Sequence, residues 1–263
     1  IPAGNNDFRC PTTARTAPPT TTTAPPTKPT RPTWLPADGS LTPVIAAFAK
    51  RHKGSYSVVV MEPTSGAVLA DYRGATTYFT ASIYKLYVAY AGYRALDAGR
   101  YSGNAPAVNS YTRAQCLDLM IRSSYSPCGV RWWIDLGRAK LDAEAKTWGL
   151  TDTDLVGLTT SAQDAARMLR LVSNGTGLSA RAHTAYLDSM RTQPAKYRVG
   201  LPAGMPGLTV YNKVGWNVDL EWHDAAIVEV APGRRVIVSI FTHKAGRANV
   251  VALARTIRAA LPR

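Results

Sequence analysis

The chain has 263 residues, 46% of them hydrophobic, which is enough to bury a large core, yet no run approaches the ~20 consecutive apolar residues of a membrane span. Lys and Arg outnumber Asp and Glu by 31 to 17, a formal charge of +14, so the surface attracts polyanions. Zinc-finger spacing, an RNA-binding aromatic signature and an isolated basic helix are all lacking, so no nucleic-acid partner is expected, while anionic cell-wall polymers or a plain solvated basic surface suit the charge.

After an N-terminal segment of residues 1–10, positions 11–33 read PTTARTAPPTTTTAPPTKPTRPT. Such a stretch has too little apolar surface to fold, and its prolines stiffen it into an extended spacer, so a disordered linker is expected over 11–37 with a globular domain over 38–263. Thr-Pro richness is also the composition of O-glycosylated stalks on exported proteins, which makes a secreted or cell-surface location the expectation. No signal peptide is visible at Ile1, as in a mature or trimmed chain.

The globular pattern opens with a helix over Leu41 to Arg51, and two apolar runs, Tyr56 to Met61 and Ala67 to Tyr72, flank Glu-Pro-Thr-Ser-Gly as a β-hairpin. Next comes Tyr78-Phe-Thr-Ala-Ser-Ile-Tyr-Lys-Leu-Tyr-Val-Ala-Tyr90, opening a helix that runs to about Ala98. Ser82 and Lys85 stand three residues apart, on one face of that helix. A serine hydroxyl becomes a nucleophile when a neighbour takes its proton, and a lysine can do so when burial or another cation lowers its pKa. Taken alone, the same pair also describes a capping serine followed by a solvated lysine. Tyr84, Tyr87, Tyr90 and Tyr93 share helical spacing and read as packing.

Helical patterns follow at Thr112 to Arg122, Ser126 to Leu136, Arg138 to Trp148, Ser161 to Val172 and Ala180 to Met190. Cys116 and Cys128 lie on either side of the first turn in this block, consistent with a disulfide in an oxidising compartment or with two buried thiols; Cys10 has no evident partner. His52, His183, His223 and His243 lack ligand spacing, and neither a metal nor another cofactor is expected. Period-two, β-branched runs then appear at Leu208 to Val214, Trp222 to Val230 and Arg235 to Thr242, and a helix over Asn249 to Ala260 closes the chain. This order predicts an α/β (α+β) domain, an antiparallel sheet of about five strands flanked by helices, with an all-helical lobe inserted between strands from both ends of the chain.

Two further motifs lie along that path: Ser124-Tyr125-Ser126 at a turn between helices, and Lys213-Val214-Gly215 on the first strand of the C-terminal group. With Ser82 to Lys85, these three in order resemble the serine β-lactamase and penicillin-binding protein superfamily, specifically class A-like serine hydrolases of actinobacterial type, over roughly residues 38 to 262. Thr159 to Leu169 looks like the helix after the Ω-loop, and His223-Asp224-Ala225-Ala226 like the fourth-strand pattern. The resemblance implies an acyl-enzyme at Ser82, with Lys85 as proton acceptor, Ser124 as relay, and Lys213 as the cation that depresses Lys85 and attracts a substrate carboxylate. Ser126, Val214 and Gly215 would line the substrate, and the N–H groups of Ser82 and of a residue just after Gly215 would form the oxyanion hole. The substrates implied are β-lactams or peptidoglycan stem peptides, met by a monomer without cofactor.

Three departures accompany these matches. Ser126 replaces an Asn, Val214 replaces a Thr or Ser, and Gly149 to Thr160 is short and contains no Glu, so turnover of β-lactams is expected to be slow. Asp152 and Asp154 are the nearest carboxylates, with turn or capping roles expected of both. The alternative is a non-catalytic descendant of the fold that binds cell-wall material or a protein. His223 and Asp224 are adjacent on a strand and face opposite ways, so one cannot orient the other as in a triad, and His223 reads as structural or peripheral.

Overall fold

The computed structural model describes residues 29–218 and 220–261. Cys10 and most of the linker expected over 11–37 lie outside the described residues. Within 29–37, Trp34 and Leu35 already pack against the core.

The central element is an antiparallel sheet in the order β2-β1-β9-β8-β7, built from β1 (Ser55–Met61), β2 (Val68–Tyr72), β7 (Thr209–Asn217), β8 (Glu221–Ala231) and β9 (Arg234–His243). The inner strands are covered on both faces, which explains their near-continuous apolar sequences, such as Val58-Val59-Val60 in β1 and Val236-Ile237-Val238 in β9. One face packs against α1 (Thr42–Arg51) and α9 (Arg247–Ala260) through Ile45, Phe48, Leu253 and Ile257. The other carries the helical lobe, inserted between β3 (Thr77–Phe79) and β7.

In the lobe, α2 (Tyr84–Asp97) is enclosed by α3 (Arg113–Arg122), α4 (Ser126–Leu136), α5 (Arg138–Thr147), α6 (Ala162–Ser173) and α7 (Ala180–Arg191). Burial of Leu86, Val88 and their neighbours stabilises the domain by about 1.5–3 kcal/mol per large side chain, which anchors α2 firmly. The tyrosines of α2 pack as expected, with Tyr87 Oη bonding Thr160 Oγ1 and Tyr90 Oη donating to the Thr176 carbonyl.

Several short elements were not legible. β3 pairs with β6 (Thr159–Ser161), β4 (Pro106–Val108) pairs with β5 (Tyr111–Thr112), and a single turn forms α8 (Leu201–Gly204). Ser82 lies in a 3₁₀ turn, Ala81–Ile83, that leads into α2 instead of within the α-helix itself. Among the described residues no helix is long and apolar enough to cross a membrane.

Candidate active site

The lysine of the first motif is the focus of the site. Lys85 occupies the first turn of α2 and is fully buried, and its Nζ lies 3.0 Å from Ser82 Oγ, 2.7 Å from the Ser124 carbonyl, 3.3 Å from Ser124 Oγ and 3.1 Å from Ser126 Oγ. An ammonium has three N–H donors, so it cannot serve four oxygens at once. As a neutral amine it offers a lone pair, and Ser82 Oγ–H is placed to donate to it. Burial brings the Lys85 pKa down to about 8, so about a tenth of the molecules hold the neutral amine at pH 7.

Lys213, on β7, is likewise fully buried and donates to Ser124 Oγ at 3.0 Å and to the Val214 carbonyl at 2.6 Å. Its pKa lies well below the ordinary lysine value, first through burial and then through repulsion by Lys85. The depression of Lys85 itself comes from burial alone, so the expected influence runs mainly in the other direction. Ser124 Oγ therefore bridges two amines that cannot both stay charged cheaply, and among the described residues no carboxylate enters the hydrogen-bonding set of either.

Local backbone geometry fixes these groups. Ala81 (φ 44°), immediately before Ser82, and Ser124 (φ 53°) hold positive φ without being glycine, each costing about 1–3 kcal/mol that the surrounding packing must offset. The Cys116–Cys128 disulfide forms, with Cα atoms 4.9 Å apart, and ties α3 to α4 around the turn that carries Ser124. Neither Ser124 nor Ser126 caps α4; Tyr125 is the N-cap residue and makes no side-chain cap bond. Both hydroxyls are instead directed at Lys85.

Two glycines supply clearance. A Cβ on Gly215 would lie 2.9 Å from the Thr80 carbonyl and 3.0 Å from the Ile83 nitrogen, so its absence lets β7 press against the serine turn. Gly129, which sequence reasoning missed, plays the same part in α4, where a Cβ would meet Tyr84 Oη at 2.9 Å and Lys85 Cε at 3.0 Å. A glycine inside a helix costs about 1 kcal/mol relative to alanine, and that penalty was the available signal.

Not every expected site residue presents a side chain to the cleft. Val214 is 1% exposed and points to the face opposite Lys213, because neighbours in a strand alternate, so only its backbone faces the site. Gly215 positions β7 and offers no side-chain contact. Ser126 is exposed and, beside contacting Lys85, is free to meet a ligand.

His223 takes the structural role expected of it. Its Nδ1 accepts from the Thr242 N–H at 3.1 Å, which leaves Nε2 to donate to the Phe79 carbonyl at 2.9 Å, and burial lowers its pKa to about 4. The neutral ring thus anchors the segment leading to Ser82. On the opposite face Asp224 accepts from the Leu201 N–H and Asn212 Nδ2, and burial raises its carboxyl to about 7.

The loop after α5 holds its carboxylates to itself. Asp154 Oδ1 accepts from the Val156 and Gly157 N–H groups at 2.8 Å, and Asp152 Oδ2 accepts from Ser161 Oγ at 2.9 Å. Among the described residues no group of three or more His, Cys, Asp or Glu side chains could hold a metal ion.

Comparison with known proteins identifies the fold and the family. A search of curated sequences finds no match. Among solved structures the chain is similar to PBP-A (24% identity, 86% of this chain and 98% of that one, TM-score 0.74) and to a PBP-A variant solved as an acyl-enzyme with penicillin G (23%, 86% and 98%, 0.73). It is also similar to an ancestral class A beta-lactamase, GNCA (21%, 84% and 99%, 0.76), and these likenesses establish the fold. The model of the beta-lactamase enzyme family, Beta-lactamase2, matches residues 40–109 and 104–261. The chain therefore belongs to the beta-lactamase enzyme family, within the serine β-lactamase and penicillin-binding protein superfamily.

Proposed function

We propose that this protein is an exported serine acyl-hydrolase that is acylated at Ser82 by β-lactams or peptidoglycan stem peptides and releases the acyl group slowly. The observation that carries this reading is the contact of Lys85 Nζ with Ser82 Oγ at 3.0 Å inside a set that links onward, through Ser124, to Lys213. Neutral Lys85 takes the Ser82 proton as Oγ attacks the carbonyl, and a tetrahedral oxyanion forms against the N–H groups of Ser82 and Trp216. Collapse breaks the C–N bond, and the departing nitrogen receives a proton from Ser124 Oγ, which is resupplied from Lys85 or Lys213. Hydrolysis of the ester then needs a base for water. Asp152 and Asp154 are both engaged elsewhere, which supports slow release.

Export is supported by the Cys116–Cys128 disulfide together with the Pro/Thr-rich stretch, the composition of a stalk that would hold the domain at a cell surface. The charge of +14 suits anionic cell-wall polymers as neighbours.

A non-catalytic, substrate-binding descendant is favoured by one observation, the buried Val214 where the superfamily has a hydroxyl. Fluorescent penicillin separates the two readings. Covalent labelling that is lost in Ser82→Ala is expected, and no labelling of the wild-type protein at any concentration would overturn the enzyme reading.

A further inference from the structure

The chain between β2 and Ser82 crosses the sheet over one row of residues and leaves the next row open. Ser57 Oγ donates to the Arg73 carbonyl, Tyr78 packs on His223 and Phe241, His223 bonds the Phe79 carbonyl, and Thr80 lies against Gly215. The crossing segment thus covers the row Ser57, Phe241, His223 and Gly215. One step along the strands, the register aligns Ser55 with His243, His243 with Glu221, and Glu221 with Asn217, all on the same face. Between this polar row and the segment from Arg73 to Phe79 lies a groove of about 380 Å³.

Glu221 gives the groove its chemistry. The residue is 6% exposed; its Oε1 meets His243 Nδ1 at 3.2 Å, while its Oε2 is buried without a hydrogen-bond partner among the described residues. A buried carboxylate oxygen without a donor is left with an uncompensated desolvation cost, which a donor brought by a ligand would relieve. The opposite wall carries Arg73, exposed, with its guanidinium 5.6 Å from the centre of the Tyr72 ring and in no ion pair among the described residues. Glu221 with His243 beside it on one wall and Arg73 on the other, in a groove also lined by Ser55, Thr76 and Thr77, match a group that bears both charges.

We propose that this groove is a specificity subsite for acyl donors whose chain ends in an amino-acid head group, with the ammonium received by Glu221 and the carboxylate by Arg73. The assignment rests on the acyl-enzyme reading above. Two residues along β7 and one strand across place Glu221 roughly 8 Å from Gly215, beside the serine turn. A side chain extended from the acylated carbonyl over about seven bonds, two residues' worth of backbone, spans roughly that distance. Phe79, which is 43% exposed and lines the groove, would cover the methylene spacer.

The test uses four penicillins, with benzyl, α-aminoadipoyl, N-acetyl-α-aminoadipoyl and 5-aminopentanoyl side chains, and measures the second-order acylation rate of Ser82 by intact mass. The free amine is expected to react roughly tenfold faster than its acetylated form, the effect of one charge-assisted hydrogen bond. A 5-aminopentanoyl side chain, which keeps the ammonium and lacks the carboxylate, should fall between them. In Glu221→Gln the advantage should shrink to within about twofold while the benzylpenicillin rate holds. Equal rates for the amine and its acetylated form in wild-type protein overturn the subsite without any variant having to fold. If benzylpenicillin itself does not acylate, the acyl-enzyme reading fails, and calorimetry with free α-aminoadipate then decides the subsite. Binding that is lost in Glu221→Gln supports it, and no binding to wild-type protein overturns it.

Discussion

Two turns reach the surroundings of Ser82 and use their polar groups in opposite ways. The turn from Ser123 to Ser126, stapled by Cys116–Cys128, directs two hydroxyls and a carbonyl at Lys85. The loop from Gly149 to Thr160 also touches the serine segment, since the Thr80 N–H donates to the Leu158 carbonyl at 2.8 Å, but its carboxylates bond to Val156, Gly157 and Ser161. One turn is organised around the proton of the nucleophile and the other around its own shape. Steps that need only Ser82, Lys85, Ser124 and Lys213 are therefore supported, whereas activation of a water by a loop carboxylate is not.

The largest effect that would sharpen this contrast is in the first turn's target. Lys85→Met should keep the buried packing and lower the acylation rate by roughly 10²–10⁴-fold, measured by stopped-flow labelling. A loss under tenfold would show that another base serves Ser82. The pH dependence comes next. Lys85 must be neutral to accept a proton, so acylation should rise about fivefold between pH 7 and pH 8 and level off above about pH 9. A flat profile over that range would remove Lys85 from the base role.

Opening the staple tests the turn itself. The 12-residue separation of Cys116 and Cys128 predicts a loss of about 3 kcal/mol in the Cys116→Ser, Cys128→Ser double variant, read from denaturant unfolding. Acylation should slow in the same variant as Ser124 loses its fixed placement. The smallest effect is expected in the second loop. Asp154→Asn should change the acyl-enzyme lifetime by less than about twofold, because its carboxylate bonds backbone N–H groups that an amide oxygen can also satisfy. A lifetime extended tenfold would make Asp154 the deacylating base and erase the contrast.

The main elements were legible because their signals are periodic. The three motifs fell in the right order along a chain whose helical block separates two groups of strands, and the α2 pattern around Ser82 and Lys85 is long and strongly apolar. The segment β3 was not legible, since three residues carry no period, yet it is the piece that crosses the sheet and delivers Ser82. The row Ser55, His243, Glu221 and Asn217 was hidden for a different reason: its members come from four strands and meet only through register. Val214 shows a different limit: the motif marks its position on β7, but that its side chain is 1% exposed, leaving backbone to face the cleft, is set by packing that a motif does not carry.

The direct test of the contrast is the lifetime of the acyl-enzyme. Intact mass should be followed after mixing with benzylpenicillin and removing the excess. The account predicts a stoichiometric adduct equal to the whole penicillin mass, absent in Ser82→Ala and persisting for many minutes. Rapid return to the unmodified mass, with penicillin consumed catalytically, would contradict it.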